Sequence, residues 1–301
     1  MHPITAEHIE LHRRLGDNRL LRYLLQFAVG ETDRALSDLL DVNTCRPSRL
    51  SVRLAAEPVI TSGTLLTILD PDYPPYLREL GLQAPPFLYI MGAVERLRRP
   101  AIAIIGTRSP TSQGRKTAGF YASQFAKSGW NVVSGNAPGI DSAAHRCAIE
   151  EGGETMIYPP MPLEMFTPSF RCARALFPRL TVASPFCPGT TVDKWCFLRR
   201  NTLVAAHASA ALVAETGMRG GTIDTVGKLQ SEAKSIFTAA LEESDQFFRA
   251  HVALIQAGCI AVPTSPTAQS VDAITSAATA QLEKAVSEAP FQHDLFEEAV
   301  H

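Results

Sequence analysis

The sequence lacks the features that would place it in several large protein classes. No apolar run approaches the ~20 residues that a membrane-spanning helix needs, and the opening MHPITAEHIELHRRLG has no apolar leader core. No membrane partner is therefore expected, and the expected location is cytoplasmic. The six cysteines, at 45, 147, 172, 187, 196 and 259, form no Cys-x-x-Cys pair. That spacing argues against a zinc site or a disulfide frame; they read as reduced thiols packed as small hydrophobes. An excess of one charge is missing too: 28 Lys and Arg against 30 Asp and Glu give a formal net charge of -2. A uniformly basic surface is excluded, so any polyanion would have to meet a local patch. There is no repeat at solenoid period. No Gly-x-Gly-x-x-Gly follows a strand, no lysine-bearing phosphate loop is present, and no serine is flanked by glycines as a nucleophile. Neither a metal nor a cofactor is expected.

What is present is strand, glycine turn and helix in alternation. With 301 residues, 46% of them apolar, the chain can bury a sizeable core and is expected to hold more than one folded unit. Ala101 to Ile105 is apolar throughout, as a strand covered on both faces must be. Gly106-Thr107-Arg108 breaks it, and Ala118, Tyr121, Ala122 and Phe125 then recur at helical spacing over Gln113 to Lys127. Asn131 to Ser134 predicts a second strand, broken at Gly135 and Pro138-Gly139. Ile140, Ala143, Ala144, Cys147 and Ala148 mark the inner face of the next helix, which Gly152-Gly153 ends. This order is that of a parallel sheet with crossovers, so the fold class is α/β. Further strands are predicted at Glu154 to Tyr158, Thr181 to Ser184, Ala211 to Ala214, Ser235 to Ala239 and Cys259 to Val262. Helices are predicted near Ser169 to Leu176, over Thr202 to Ala208, from Ile223 with Thr222 as cap, and over Asp245 to Ala257.

Flanking segments differ. Residues 1–62 read as a small all-helical accessory domain: Leu20, Leu21, Leu24, Leu25 and Ala28 form one stripe ending at Gly30. Second and third helices are expected after Thr32 or Asp33 and from Pro47 to Ala56. The proline-rich stretch from Leu65 to Met91 reads as short strands or as an extended linker between domains. Residues 266–301 form an amphipathic helix, with Val271, Ile274, Ala278, Leu282 and Val286 on one face, and a loose end from Phe291.

Parallel strands put their carboxyl ends on one edge, so three glycine turns should share a rim: Gly106-Thr107-Arg108, Ser134 to Gly139, and Arg219-Gly220-Gly221-Thr222. Glycines let backbone N–H groups approach a ligand, and helix N-termini favour negative charge. Hydroxyls on Thr107, Ser134 and Thr222 add neutral donors; Arg108, Arg115, Lys116, Arg199, Arg200 and Arg219 add cations. Together they predict a phosphate-binding rim. Arg199-Arg200-Asn201 follows the aromatic Trp195-Cys196-Phe197, a combination suited to a sugar-phosphate backbone with stacked bases. Asp141 and His145 lie four apart on one helix face and can pair; the pair reads as a helix cap and a structural histidine that help fix the Gly135 to Gly139 loop.

These motifs resemble the DNA-processing protein A (DprA/Smf) family. The resemblance is carried by Ile105-Gly106-Thr107-Arg108, by SGNAPGIDSAAH from Ser134 to His145, by Arg200-Asn201 before a small apolar helix, and by VAETGMRGGTIDT from Val213 to Thr225. Asp72-Tyr73-Pro74 and Pro86 to Gly92 resemble the entry to the family's fold. The resemblance implies an extended Rossmann-like domain over residues 63–265, and a homodimer that binds single-stranded DNA and loads a RecA-type recombinase during transformation, without catalysis. It assigns nucleic-acid contacts to Gly106, Thr107, Arg108, Arg200, Asn201, Gly220, Gly221 and Thr222; Arg115, Lys116, Ser134, Gly135, Gly139, Arg199 and Arg219 complete the expected interface. The chain departs from the family pattern at Tyr158 to Met161, Leu198, Thr202, Ala239 to Leu241 and Val252, and its tail reads as one helix in place of a winged helix. Two further readings use the same rim: a sensor of a nucleotide-derived ligand, and a nucleotide N-glycosidase. The second is disfavoured because Thr225 stands where that chemistry needs a glutamate, and Glu215 is at the wrong offset.

Overall fold

The computed structural model describes residues 2–3, 6–27 and 63–288. Its strands in chain order are β1 (His2–Pro3), β2 (Thr64–Thr67), β3 (Phe87–Met91), β4 (Ala101–Gly106), β5 (Asn131–Ser134), β6 (Thr155–Ile157), β7 (Leu180–Ser184), β8 (Ala208–Glu215), β9 (Ser235–Ala239) and β10 (Ile260–Val262). Its helices are α1 (Ala6–Phe27), α2 (Pro75–Arg78), α3 (Ser112–Lys127), α4 (Ile140–Glu150), α5 (Lys194–His207), α6 (Gly221–Ser231), α7 (Phe248–Gln256) and α8 (Ala268–Glu288). The second and third N-terminal helices expected from the sequence, and the end from Phe291, lie outside the described residues.

The strands form one sheet in the order β1-β2-β3-β7-β6-β5-β4-β8-β9-β10. From β7 to β10 neighbours run parallel; β1, β2 and β3 are added antiparallel at the β7 edge. The chain steps outward from β4 through β5 and β6 to β7, then returns by way of α5 to place β8 on the other side of β4. Reversal of strand order at β4 makes a crevice at the carboxyl ends of β4, β5 and β8, the place where open α/β sheets receive ligands.

Alternation along β4 and β8 sorts the two layers, because successive side chains of a strand face opposite ways. Ala101, Ala103 and Ile105 share a core with Ala211 and Val213 and with Leu203, Val204, Val226 and Leu229 of α5 and α6. Ile102 and Ile104 face the opposite way, joining Ala210, Leu212 and Ala214 and packing under α3, α4 and α8. Val271, Ile274 and Ala278 bring α8 into this second core. Ile9, Leu20, Leu21 and Leu24 of α1 join the first core beside Phe87 and Tyr89. Helix α1 is interrupted at Gly16 (φ 67°, ψ 167°), a left-handed φ that glycine adopts freely.

Several expectations are corrected. Of the two readings of the proline-rich stretch, short strands is the one found: β2 and β3 pair antiparallel, and Tyr73 between them is fully buried, its hydroxyl donating to the Pro85 carbonyl at 2.6 Å. Ser169 to Leu176 forms no α-helix. Pro168 and Pro178 bound it, the Ser169 N–H donates to Asn136 Oδ1, and only a 3-10 turn over Arg174–Arg179 follows. The helix predicted over Thr202 to Ala208 begins at Lys194, because Asp193 accepts from the Cys196 N–H and caps it there. Thr222 is not the cap of α6; Gly220, at φ 119°, holds that position. Among the described residues no helix is long and apolar enough to cross a membrane, and Cys147, Cys172, Cys187, Cys196 and Cys259 are free thiols.

Two buried histidines couple this core to pH. Thr155 Oγ1 donates to the Val132 carbonyl, so His145 Nδ1–H donates to Thr155 Oγ1 at 2.6 Å, leaving buried Nε2 without a hydrogen-bond partner among the described residues. Burial first, and then the nearby Arg200 charge, lower the His145 pKa to about 3. His207 accepts from the Tyr158 hydroxyl and donates to the Arg99 carbonyl, and burial lowers its pKa to about 4. The unfolded chain therefore takes up protons first, and stability falls as pH drops below about 6.5, by on the order of 2 kcal/mol per histidine at pH 5. Urea midpoints at pH 7.5 and 5 should show this loss, and His145→Gln should shrink it; an unchanged pH dependence in that variant would contradict the assignment.

Candidate functional site

Backbone geometry at the switch point brings the three glycine turns together. A cavity of about 600 Å³ is lined by Ile105 to Arg108 after β4, by Ser134, Gly135 and Ala137 after β5, and by Thr216, Gly217 and Arg219 to Thr222 after β8. Helix α5 closes one side with Lys194, Phe197, Leu198, Arg200, Asn201 and Val204. The β4 turn must be glycine for packing reasons: a Cβ at Gly106 would lie 2.5 Å from Ile140 Cγ1 and 2.6 Å from the Glu215 carbonyl oxygen.

Arg200 is the centre of the site. It is buried (6% exposed), and its guanidinium lies so close over Gly135 that a Cβ there would fall 1.1 Å from Nη1. Its counter-charge is Asp141, with Nη1 to Oδ2 at 3.8 Å. Asp141 also accepts the N–H groups of Gly135 and Ala137, each at 3.2 Å. Burial pushes the Asp141 carboxyl up, opposed by Arg200 and by those N–H groups. Burial pulls the Arg200 guanidinium down, opposed by Asp141. Arg200 Nε is buried and has no hydrogen-bond partner among the described residues.

Around it the chemistry is cationic and aromatic. Exposed Arg108 lays its guanidinium over the Phe197 ring at 5.1 Å, a cation–π contact that positions the charge at the rim. Lys194 and Arg219 complete four cations against two carboxylates, Asp141 and Asp224. Asn201 turns its amide N–H groups onto the Gly221 carbonyl (3.2 Å) and Asp224 (2.9 Å), fixing the start of α6. The Gly220-Gly221-Thr222 end of that helix opens on the cavity, where first-turn N–H groups have no partner within the helix.

Not every predicted residue meets here. Arg115 and Lys116 are exposed on α3 and do not line the cavity; Arg115 donates to the Pro110 carbonyl. Arg199 leaves α5 on the opposite side and pairs with Asp17 at 3.3 Å, because adjacent helical residues point about 100° apart. Ser134 reaches the cavity wall, but its hydroxyl donates inward to the Ile104 carbonyl at 2.8 Å, so it is no donor to a ligand. Gly139 supports from behind: at φ 95° it fits beneath the Thr107 carbonyl and caps α4. Asp141 is therefore not the cap, and its partner is Arg200 rather than His145, which points to Thr155. The Ser134 to Gly139 turn spends two N–H groups on Asp141, and Ile140 N–H goes to the Thr107 carbonyl, leaving the α6 terminus as the open one.

Lys194, Thr216 and Asp224 also line the cavity without having been singled out from the sequence. The Asp193 cap is the signal that would have carried α5 back to Lys194. Glu215, fully buried, gives both carboxylate oxygens to Thr111, accepting its N–H at 2.7 Å and its hydroxyl at 2.6 Å, and is absent from the cavity wall. It locks β8 to α3.

The family described as DNA recombination-mediator protein A matches residues 64–275, a span that contains all three turns and α5. DNA processing protein DprA of Streptococcus pneumoniae is 32% identical over 234 residues, covering 74% of this chain and 82% of that protein. An X-ray structure of DprA from that species superposes with a TM-score of 0.68 at 25% identity, over 96% of this chain and 100% of that one. DNA processing protein A from Helicobacter pylori, solved for its single-stranded DNA binding mode, gives a TM-score of 0.58 at 21% identity, over 74% and 96% of the two chains. At that identity the likeness speaks for the fold.

The contact of Arg200 with Gly135 has a direct test. Gly135→Ala should expel the guanidinium from Asp141 and cost about 1–3 kcal/mol of stability. A urea midpoint equal to that of the parent would show that the two do not touch.

Proposed function

We propose, from the premise that this chain belongs to the DNA recombination-mediator protein A family, that the switch-point cavity grips the phosphates of single-stranded DNA. The strand is held for transfer to a RecA-type recombinase, and no bond is broken. The observation that carries this reading is that one cavity is lined by buried Arg200, by exposed Arg108 and by the open N-terminus of α6. A phosphate in the cavity meets the Arg200 and Arg108 charges and the positive end of the helix in the same step. Phe197, already covered by Arg108, offers an aromatic face near the backbone path, and stacking of this kind tolerates any base. Gripping by backbone amides, guanidinium groups and one ring is indifferent to sequence, as a mediator acting on arbitrary strands requires.

The absence of catalysis belongs to the same reading. Of the two carboxylates at the cavity, Asp141 is committed to Arg200 and two loop N–H groups, and Asp224 to Asn201 and Lys228. Glu215 is held away by Thr111. We place the working protein in the cytoplasm as a homodimer, since a recombinase acting on incoming strands is met there.

Arg108→Ala is the test, because that side chain is exposed and its loss leaves the core intact. In fluorescence anisotropy with a labelled oligothymidylate, the variant should bind more weakly, and the slope of log K against log salt should fall by about 0.7 per lost phosphate contact. Equal affinity and equal slope in parent and variant at low salt would remove the rim from the interface.

A further inference from the structure

Helix α5 has two lined faces. At helical spacing, Lys194, Phe197, Asn201 and Val204 face the switch-point cavity. Trp195, Arg199 and Thr202, one step round the helix, face a second and larger cavity of about 880 Å³. Leu198 lines both, so α5 is a ridge between them. The far wall of the second cavity comes from α1 around its break at Gly16.

Both faces carry aromatic and cationic side chains. On the first, Arg108 lies over Phe197. On the second, Trp195 stands edge-on to Phe186 at 5.8 Å and remains 51% exposed, an unusual state for the largest apolar side chain. Four cations line this cavity, Arg13, Arg19, Arg199 and Lys228, with Asp17 among the lining; Arg13 also pairs with Glu10 at 3.8 Å and Lys228 with Asp224 at 3.4 Å. Asp17 is taken up by His12 at 2.6 Å and Arg199 at 3.3 Å. Arg19 is exposed and unpaired among the described residues. An exposed indole in a cationic groove next to a polyanion site fits the continuation of that polyanion.

We propose that a bound single strand does not end in the switch-point cavity but crosses α5 at Leu198, stacks a base on Trp195 and follows Arg19 and Arg13 along the second cavity. This rests on reading the first cavity as the single-strand site. Helix α5 is ~10–12 Å across with its side chains, so only strands that overhang the first cavity reach the indole. The occupant is single-stranded rather than duplex, because stacking on Trp195 requires an unpaired base face.

Length dependence tests the proposal. Oligothymidylates of about four and about sixteen nucleotides span the range of single-strand site sizes. The double variant Trp195→Ala, Arg19→Ala should lose about tenfold in affinity for the longer strand and stay within about twofold of the parent for the shorter. Arg108→Ala should weaken both lengths. Unchanged affinity of the double variant for the longer strand, or equal losses at both lengths, would overturn the crossing. Arg108→Ala binding both lengths as the parent does would overturn the first-cavity reading instead. The chain has two tryptophans, so in a Trp130→Phe background fluorescence reports Trp195 alone. Quenching by the longer strand and not by the shorter is the expected result; no quenching by the longer strand would overturn the proposal without depending on any loss of stability.

Discussion

A guanidinium pressed against bare backbone is the constraint on which this site depends. Arg200 lies where a side chain at position 135 would be, and only glycine leaves that space. Removing a cation from water is costly, and one carboxylate at 3.8 Å offsets only part of that cost. Asp141 gains its own support from the Gly135 and Ala137 N–H groups, so glycine turn, carboxylate and guanidinium hold one another in place. What the arrangement does not supply is a partner for Arg200 Nε. The folded protein thus keeps a preoriented cation in the wall of the cavity, fixed by Asp141 and the glycine turn.

The sheet explains why such a cluster forms at this point. Because β4 is the first of the parallel strands in the chain and β8 returns to its far side, two helices diverge from neighbouring strand ends and leave a crevice between them. Thr107 closes one helix terminus by accepting from Ile140, whereas the glycines before α6 leave the other open. Helix α5 belongs to the returning crossover, so it necessarily runs past that crevice. Its first turns carry alternate cations and rings to either side, and the antiparallel strands with α1 supply the opposite wall of the second groove.

The relation between sequence and structure differs from residue to residue. Strands β4 and β5 and helices α3 and α4 were readable because burial on both faces demands unbroken apolar runs, and helices over a sheet demand apolar residues at 3.6 spacing. The proline-rich segment left strands and linker both open because its prolines lie in the connection between β2 and β3 rather than within either strand, and the burial of Tyr73 comes from neighbours distant in sequence. Helix α5 was shortened because its sheet-facing stripe is small and its first turns carry bulky, charged residues. The Asp193 cap, a local signal, marks where it starts.

Local order therefore determined the α/β class, the position of the three glycine turns, and their meeting at one edge, since parallel strands can end nowhere else. It named Arg108, Arg200 and the Gly220-Gly221 turn. Only the folded chain decided that Arg199 and Arg200, adjacent in sequence, serve different cavities, that Ser134 faces inward, and that Asp141 answers Arg200 rather than His145. The reason is geometric: composition and spacing fix which groups are near along the chain, but the azimuth of a side chain on its helix, and the element packed opposite it, exist only once the layers have closed.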